Sequence, residues 1–396
     1  MSSRPCTPRV LVTGSEHPGG LAAIRALRLA GFEPWAADSA PGGYGARSRA
    51  SAGTVRIPDP RTDPEAFAGE LAQAADRVGA AVVLPGTESA LLALGTYRHV
   101  FPDAVAVGAP PEAATLKATD KQALSDLATD AGFTIPPTLL VTLDDLPTRV
   151  SELRFPAVVK PLRSELDTDD GQLRRFEVVQ VDDVRALEAA LRTLPGRAGL
   201  VQPYLRGHIR TVNGVAWNGD VVVSVHKIAE RTWPLDCGMV SYARTVPVQP
   251  ELDTATRTLL KGLEWSGIFN LQLIESGGTS YVIDLNPRLY HSLALAVRAG
   301  ANLPAIWTSL LLGKTPTGLG YRSGVHFRAE EDLYALWRMF MAGERGTALR
   351  GLLPHTPTVR AVFQVNDPMP SLCTLDRVRR GFRTASGKQT LPTTDS

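Results

Sequence analysis

The stretch Gly267–Arg288, GIFNLQLIESGGTSYVIDLNPR, decides how the rest of the chain is read. Two apolar runs, Phe269–Ile274 and Tyr281–Leu285, flank Ser276-Gly277-Gly278, which is the pattern of a β-hairpin. Polar side chains interrupt these strands at particular places. Gln272 breaks the first run, while Asp284 and Asn286 are two apart in the second and therefore share a face; Pro287 ends the ladder and Arg288 follows. Hard oxygen donors are what Mg²⁺ takes when it is shared with nucleotide phosphates. One reading therefore makes Gln272, Asp284 and Asn286 metal ligands with a guanidinium beside them. The other makes Asp284 and Asn286 a plain turn ahead of Pro287, and spacing alone does not separate the two.

Upstream, a helix is expected from about Asp253 to Leu263, preceded by short β-rich runs from Gly199 to Val225 with turns at Asn213-Gly214 and Asn218-Gly219-Asp220. A charged helix from Thr119 to Ala131 closes at Gly132, and Phe155–Lys160 reads as a strand. At the start of the chain, Arg9–Gly14 (RVLVTG) reads as strand and loop. Leu21, Ile24, Ala26 and Leu27 then fall at helical spacing, and Phe32–Ala37 and Ala80–Leu84 are further strand candidates. Such alternation predicts a parallel, doubly wound α/β domain over roughly the first 110 residues. Pro110-Pro111 marks its end. The expected organisation is a Rossmann-like domain over 1–112, a small lobe with its linker helix over 113–200, a larger lobe with the metal site over 201–320, a C-terminal part over 321–380 and a flexible tail over 381–396.

The 396-residue chain, 44% hydrophobic and 21% charged, has the composition of a soluble multi-domain protein. A net charge of +2 with scattered Lys and Arg offers no argument for nucleic acid or an anionic membrane. Cys6, Cys237 and Cys373 are far apart and show no metal-ligand spacing. The polar start, Met1–Arg9, has no apolar core, and no run approaches the roughly 18 apolar residues of a membrane span. A cytoplasmic location is the expectation.

The hairpin resembles the signature of the ATP-grasp superfamily, in which a strand with an acidic residue or Gln precedes an acidic-x-Asn-Pro-Arg stretch; its Gln variant is that of carbamoyl phosphate synthetases. Other parts follow in the family's order. Phe155–Pro161 resembles a strand ending in Lys-Pro, and Asp120-Lys121 resembles an earlier Asp-Lys pair, so the resemblance implies that Lys121 and Lys160 meet ATP phosphates. Leu200–Leu205 is similar to the hinge between the two lobes. There Gln202, Pro203, Tyr204 and Leu205 would border the adenine, and His208 would stand near the ribose. Pro203 lacks an N–H, but its carbonyl and the Leu205 N–H remain for the base. His226–Pro234 is similar to the basic strand-loop of carboxylate-amine ligases, which makes Lys227 and Arg231 candidate cations near the γ-phosphate; a solvated face is the competing reading. Leu289–Gly300 and Asp367–Pro370 also look like that branch. The loop Arg163–Arg175 departs from the family's glycine-rich flap, with the single glycine Gly171, and a short flap would lean on Arg174 or Arg175.

What the resemblance implies is a Rossmann-like domain followed by a two-lobed α+β ATP-grasp fold that uses ATP and Mg²⁺, or Mn²⁺ in its place. It would activate a carboxylate as an acyl phosphate, join it to an amine, and use Arg288, Lys227 and Arg231 in catalysis. Small-molecule carboxylates and amines are the implied substrates, with a homodimer left open. Three alternatives stand beside this reading. The acceptor would be bicarbonate or a hydroxyl in a carboxylase or kinase. Gly14 and Gly19-Gly20 after the first strand would suit a nucleotide-cofactor oxidoreductase, although GxGxxG is absent. A non-catalytic ATP-binding subunit is the third.

Overall fold

The computed structural model describes residues 7–163, 165–167, 173–176, 178–235 and 238–374. Cys6, Cys237, Gly171 and the expected tail over 381–396 lie outside the described residues. The chain opens with five parallel strands, β1 (Arg9–Thr13), β2 (Glu33–Asp38), β3 (Gly53–Arg56), β4 (Ala80–Leu84) and β5 (Ala106–Val107), in the order β3-β2-β1-β4-β5. Period-two alternation sends Val10 and Val12 into one apolar cluster and Leu11 into another, so both faces of this sheet are covered, as a parallel sheet requires. This is the Rossmann-like domain expected from the strand-helix alternation.

A second sheet is formed by β6 (Leu139–Thr142), β7 (Ala157–Lys160), β10 (Val179–Val181) and β11 (Ala198–Pro203), in the order β10-β7-β11-β6 and antiparallel throughout. Its apolar cluster is its own, running from Val141 to Val201 and roofed by Leu187 and Leu191 of the helix Val184–Thr193. The segment read as a loop over 163–175 contains a short antiparallel hairpin, β8 (Glu165–Asp167) with β9 (Leu173–Arg175). The helices Glu112–Thr119 and Lys121–Asp130 precede this lobe in sequence but do not share its core. Ala118, Leu124 and Ala128 pack with Phe269, Leu271 and Leu259 of the larger lobe.

The larger lobe is a seven-stranded sheet of β12 (His208–Trp217), β13 (Asp220–Trp233), β14 (Met239–Thr245), β15 (Gly267–Ser276), β16 (Thr279–Asn286), β17 (His326–Arg328) and β18 (Thr358–Arg360), in the order β16-β15-β12-β13-β14-β17-β18. The C-terminal segment thus completes this sheet. It is also stapled to the first domain, where buried Asp367 takes the Arg25 guanidinium at 2.8 Å and the Ser48 hydroxyl.

Only one of the two Asn-Gly pairs is a turn. Asn218 (φ 50°) and Gly219 (φ 83°) form the two-residue connection between β12 and β13, as a type I′ hairpin demands. Asn213-Gly214, expected to be a turn, lies inside β12. Gly214 is there because a Cβ would meet the Val223 carbonyl oxygen at 2.0 Å and the Phe269 ring at 2.7 Å. Close approach of the neighbouring strand and ring, not chain reversal, selects the glycine.

Candidate nucleotide and metal site

One face of the large sheet packs Phe269, Leu271 and Leu273 against the helix Pro250–Gly262. Residues at the intervening positions of β15 face the other way, and there the sheet turns polar. Register links Lys227 of β13 to Thr211 of β12, Thr211 to Gln272 of β15, and Gln272 to Asp284 of β16. Directly opposed residues of antiparallel strands project on the same side, so these four side chains form one row across four strands. A second row runs beside it through Asn213, Asn270 and Asn286.

The expected metal ligands are therefore brought together. Gln272, Asp284 and Asn286 are all half-buried on one face at the open edge of the sheet. The Asn286 amide donates to an Asp284 carboxylate oxygen at 3.1 Å, and Arg288 donates to Asn286 Oδ1 at 3.0 Å. The turn alternative is excluded, because β16 continues through Asn286. One carboxylate and several amide oxygens are a hard but weakly charged donor set, which suits a Mg²⁺ ion that draws its remaining ligands from phosphates. In keeping with this, no group of three or more His, Cys, Asp or Glu suited to a metal lies together among the described residues. Asn270 lies beside this set in the second row, its Oδ1 buried with no hydrogen-bond partner among the described residues. The residues fit the ion.

One cation arrives from the small lobe, and a second stands on a helix packed against the larger one. Lys160 ends β7 and reaches across to donate to the Ile283 carbonyl at 3.1 Å, next to Asp284. Lys121 is buried at the first turn of its helix, which Asp120 caps by accepting from the Gln122 and Ala123 N–H groups. The Lys121 N–H donates to the Leu162 carbonyl at 3.2 Å and so ties the helix to the chain just after β7.

At the hinge, Gln202 is buried and its amide donates to Thr138 at 2.8 Å, which directs this side chain into the small lobe. The Tyr204 N–H donates to the Pro156 carbonyl at 2.9 Å. Strand alternation then turns the Pro203 carbonyl to the opposite edge, where β6 pairs only as far as Val201, and Leu205 follows just beyond the end of β11. His208 is exposed at the start of β12, opposite Glu275.

Lys227 and Arg231 part company. Lys227 is 2% exposed, so the solvated-face reading fails for it; its ammonium donates to the Ser292 hydroxyl and lies 4.9 Å from the Tyr290 ring centroid. Burial pulls its pKa down to about 7. Arg231, expected as a second cation for the γ-phosphate, is instead clamped by Asp332 at 2.8 and 2.9 Å and stacked on Tyr242. Irregular pairing between Ala229 and Thr232 separates it from the row that holds Lys227.

Sequence reasoning missed Thr211, Asn213, Asn270 and Ser292. Asn270 was within reach, because it stands two residues before Gln272 and so repeats the polar interruption of the same apolar strand.

The parallel domain, the small antiparallel lobe and the large sheet with its polar row make up the ATP-grasp fold, as the likeness to solved structures shows. Residues 197–332 match a family described as ATP-grasp in the biosynthetic pathway with Ter operon. The chain is 23% identical over 226 residues to the carbamoyl phosphate synthase large chain of Clostridium acetobutylicum, covering 55% of this chain and 21% of that one. Against the same protein of Thermoanaerobacter pseudethanolicus it is 25% identical over 193 residues, covering 47% and 17%. The chain spans about a fifth of the length of these relatives. Among solved structures it superposes on N5-carboxyaminoimidazole synthetase from Staphylococcus aureus complexed with ADP at a TM-score of 0.61 (13% identity, 78% and 79% covered). The L-amino acid ligase from Bacillus licheniformis gives 0.57 (17% identity, 77% and 74% covered). No helix among the described residues is long and apolar enough to cross a membrane.

Proposed function

We propose that this protein is an ATP- and Mg²⁺-dependent ligase that converts a small carboxylate to its acyl phosphate and joins it to an amine. The observation that carries this reading is the register of Gln272 opposite Asp284, with Asn286 on the same face and the Lys160 ammonium bonded one residue away. Oxygen donors and a cation from opposite lobes meet there, as a phosphoryl-transfer site requires.

A carboxylate oxygen is a poor leaving group, and phosphorylation supplies a good one. The protein's share of such a transfer is positioning and charge neutralisation. Lys121 and Lys160 hold the nucleotide phosphates, the Pro203 carbonyl and Leu205 N–H read the adenine edge, and His208 stands at the ribose. Gln272, Asp284 and Asn286 would hold the ion, which supplies neutralisation of charge on the phosphates when bound. Mn²⁺ would fit the same oxygens. Arg288 and Lys227 flank the place where the acyl phosphate forms, and Arg231 acts only by stiffening β13. The amine substrate loses its proton as it attacks the acyl carbon, and inorganic phosphate leaves.

A screen of amino acids, small carboxylates and bicarbonate for dependent release of ADP and phosphate tests the reading. A carboxylate and an amine that are both required for ADP release would support it. Turnover with bicarbonate in place of the carboxylate would move the assignment to a carboxylase, and nucleotide binding with no release under any pair would leave a binding subunit.

A further inference from the structure

Asn270 is 2% exposed and stands in the interior of β15, directly opposite Asn286. Its amide donates to Asn213 Oδ1, and the Asn213 amide in turn donates to the Thr211 hydroxyl at 3.0 Å and the Val225 carbonyl at 3.2 Å. A backbone carbonyl only accepts, so Val225 must face the NH₂ end of Asn213. That orientation leaves Asn213 Oδ1 for Asn270, which must then present its own NH₂. The direction of this hydrogen-bond chain is thereby set, and it ends on Asn270 Oδ1, a buried acceptor with no donor among the described residues. Buried acceptors of this kind are rare, because the lost hydration is not repaid.

Across the strand pair, Asn286 has the complementary problem. Its NH₂ group donates to Asp284 Oδ2, so one expected ion ligand covers an oxygen of another. If that N–H finds another acceptor, Asp284 Oδ2 is left with both lone pairs for an ion. Opposed residues in antiparallel strands have Cβ atoms about 5 Å apart, within reach of two amides. Asn270 Oδ1 is the orphan acceptor across that pair.

Resting on the ligase reading above, we infer that Asn270 is a positioning residue for the ion site: the Asn286 amide moves from Asp284 to Asn270 Oδ1 when the ion binds. The exchange uncovers Asp284 Oδ2, directs Asn286 Oδ1 away from Asn270, and satisfies the buried oxygen in the same step. No proton is transferred and no charge changes on the protein. Asn213 and Thr211 serve to keep the Asn270 amide from flipping.

The test compares ADP affinity with and without saturating Mg²⁺, by calorimetry on the full chain. In the parent, Mg²⁺ should tighten ADP binding, and Asp284→Asn should remove that gain. Asn270→Leu should lower the Mg²⁺-dependent gain about ten-fold while metal-free ADP binds within two-fold of the parent. Asn270→Ser, whose short hydroxyl cannot reach across the strand pair, should do the same and serves if the leucine variant does not fold. A full Mg²⁺ gain in either folded variant, with Asp284→Asn still defective, would overturn the exchange and leave the ligase reading standing. Equal weakening of metal-free and metal-loaded binding would also overturn it, because a merely structural role predicts that result. A parent whose ADP affinity ignores Mg²⁺ would sink the ligase reading and the exchange together.

Discussion

The large sheet carries two clusters of charge on neighbouring stretches of β13, and they are built on opposite terms. Toward the C-terminal end of β13, Asp332 is fully buried and accepts from Arg231 at 2.8 and 2.9 Å, from the Ser241 hydroxyl at 3.1 Å, and faces Arg328 at 3.4 Å. Both guanidiniums lie over the Tyr242 ring, at 4.3 and 5.0 Å from its centroid. Every charge there has its partner. Four residues earlier, Lys227 is buried with a hydroxyl and an aromatic ring for company, and its row leads to Asp284, which takes a hydrogen bond from the Asn286 amide. A cluster that satisfies itself stabilises the fold; one that leaves cation and carboxylate apart keeps them for a ligand.

Breaking the first cluster should therefore cost stability and little else. Asp332→Ala leaves two buried guanidiniums without their carboxylate, which should lower unfolding free energy by about 3–5 kcal/mol. Nucleotide affinity measured well below the melting temperature should stay at the parental value. A loss of ADP affinity matching the loss of stability would erase the distinction between the clusters.

Asp284→Asn is the converse. The change is nearly isosteric and the site is half-buried, so the melting curve should overlay that of the parent, while ADP release at saturating substrates drops by about 100-fold. Parental turnover in a normally melting variant would remove the ion site. Lys160→Ala should follow with about ten-fold weaker ATP binding, from the loss of one charge-assisted contact of roughly 1.5–3 kcal/mol. Unchanged affinity in that folded variant would take Lys160 out of the site.

The buried lysine gives the comparison a pH signature. Its folded pKa, about 7, lies below the ordinary value near 10.5, so between these two pH values the unfolded chain binds more protons. Stability should thus rise with pH across that window, and the full cost of the buried charge is felt below it. Lys227→Met should flatten the rise in melting temperature from pH 7 to 10 and stabilise the protein most at the acid end. An unaltered slope in the methionine variant would show that another group sets it. The smallest effect belongs to the hinge. Tyr204→Ala should leave the ratio of ATP to GTP affinity within two-fold, since the groups turned to the open edge there are backbone atoms; a collapsed ratio would assign the reading of the base to the side chain.

Much of the architecture was legible because it follows from local rules. Apolar runs separated by helical spacing announce the parallel domain, and two positive-φ residues at Asn218-Gly219 announce a hairpin. The same Asn-Gly dipeptide at 213–214 misled, because its cause is not local: the glycine answers to a carbonyl and a ring supplied by other strands, and the asparagine to a polar row. The helix Lys121–Asp130 was likewise placed correctly in sequence and assigned to the wrong neighbours, since its apolar face does not say which core it will enter.

Within the site the same division holds. By itself the sequence determined that Gln272, Asp284 and Asn286 would be polar interruptions of apolar strands, and that the last two would share a face, because strand periodicity is a property of the backbone. Only the tertiary structure decided that Lys227 would be stripped of water while Arg231, four residues on, would be neutralised. Whether a side chain meets a carboxylate, a hydroxyl or solvent depends on the registers of β12, β14 and β15 and on the arrival of Asp332 and Ser292 from distant segments. Charge is written in the residue, but its cost depends on the dielectric and the partners that folding brings to it.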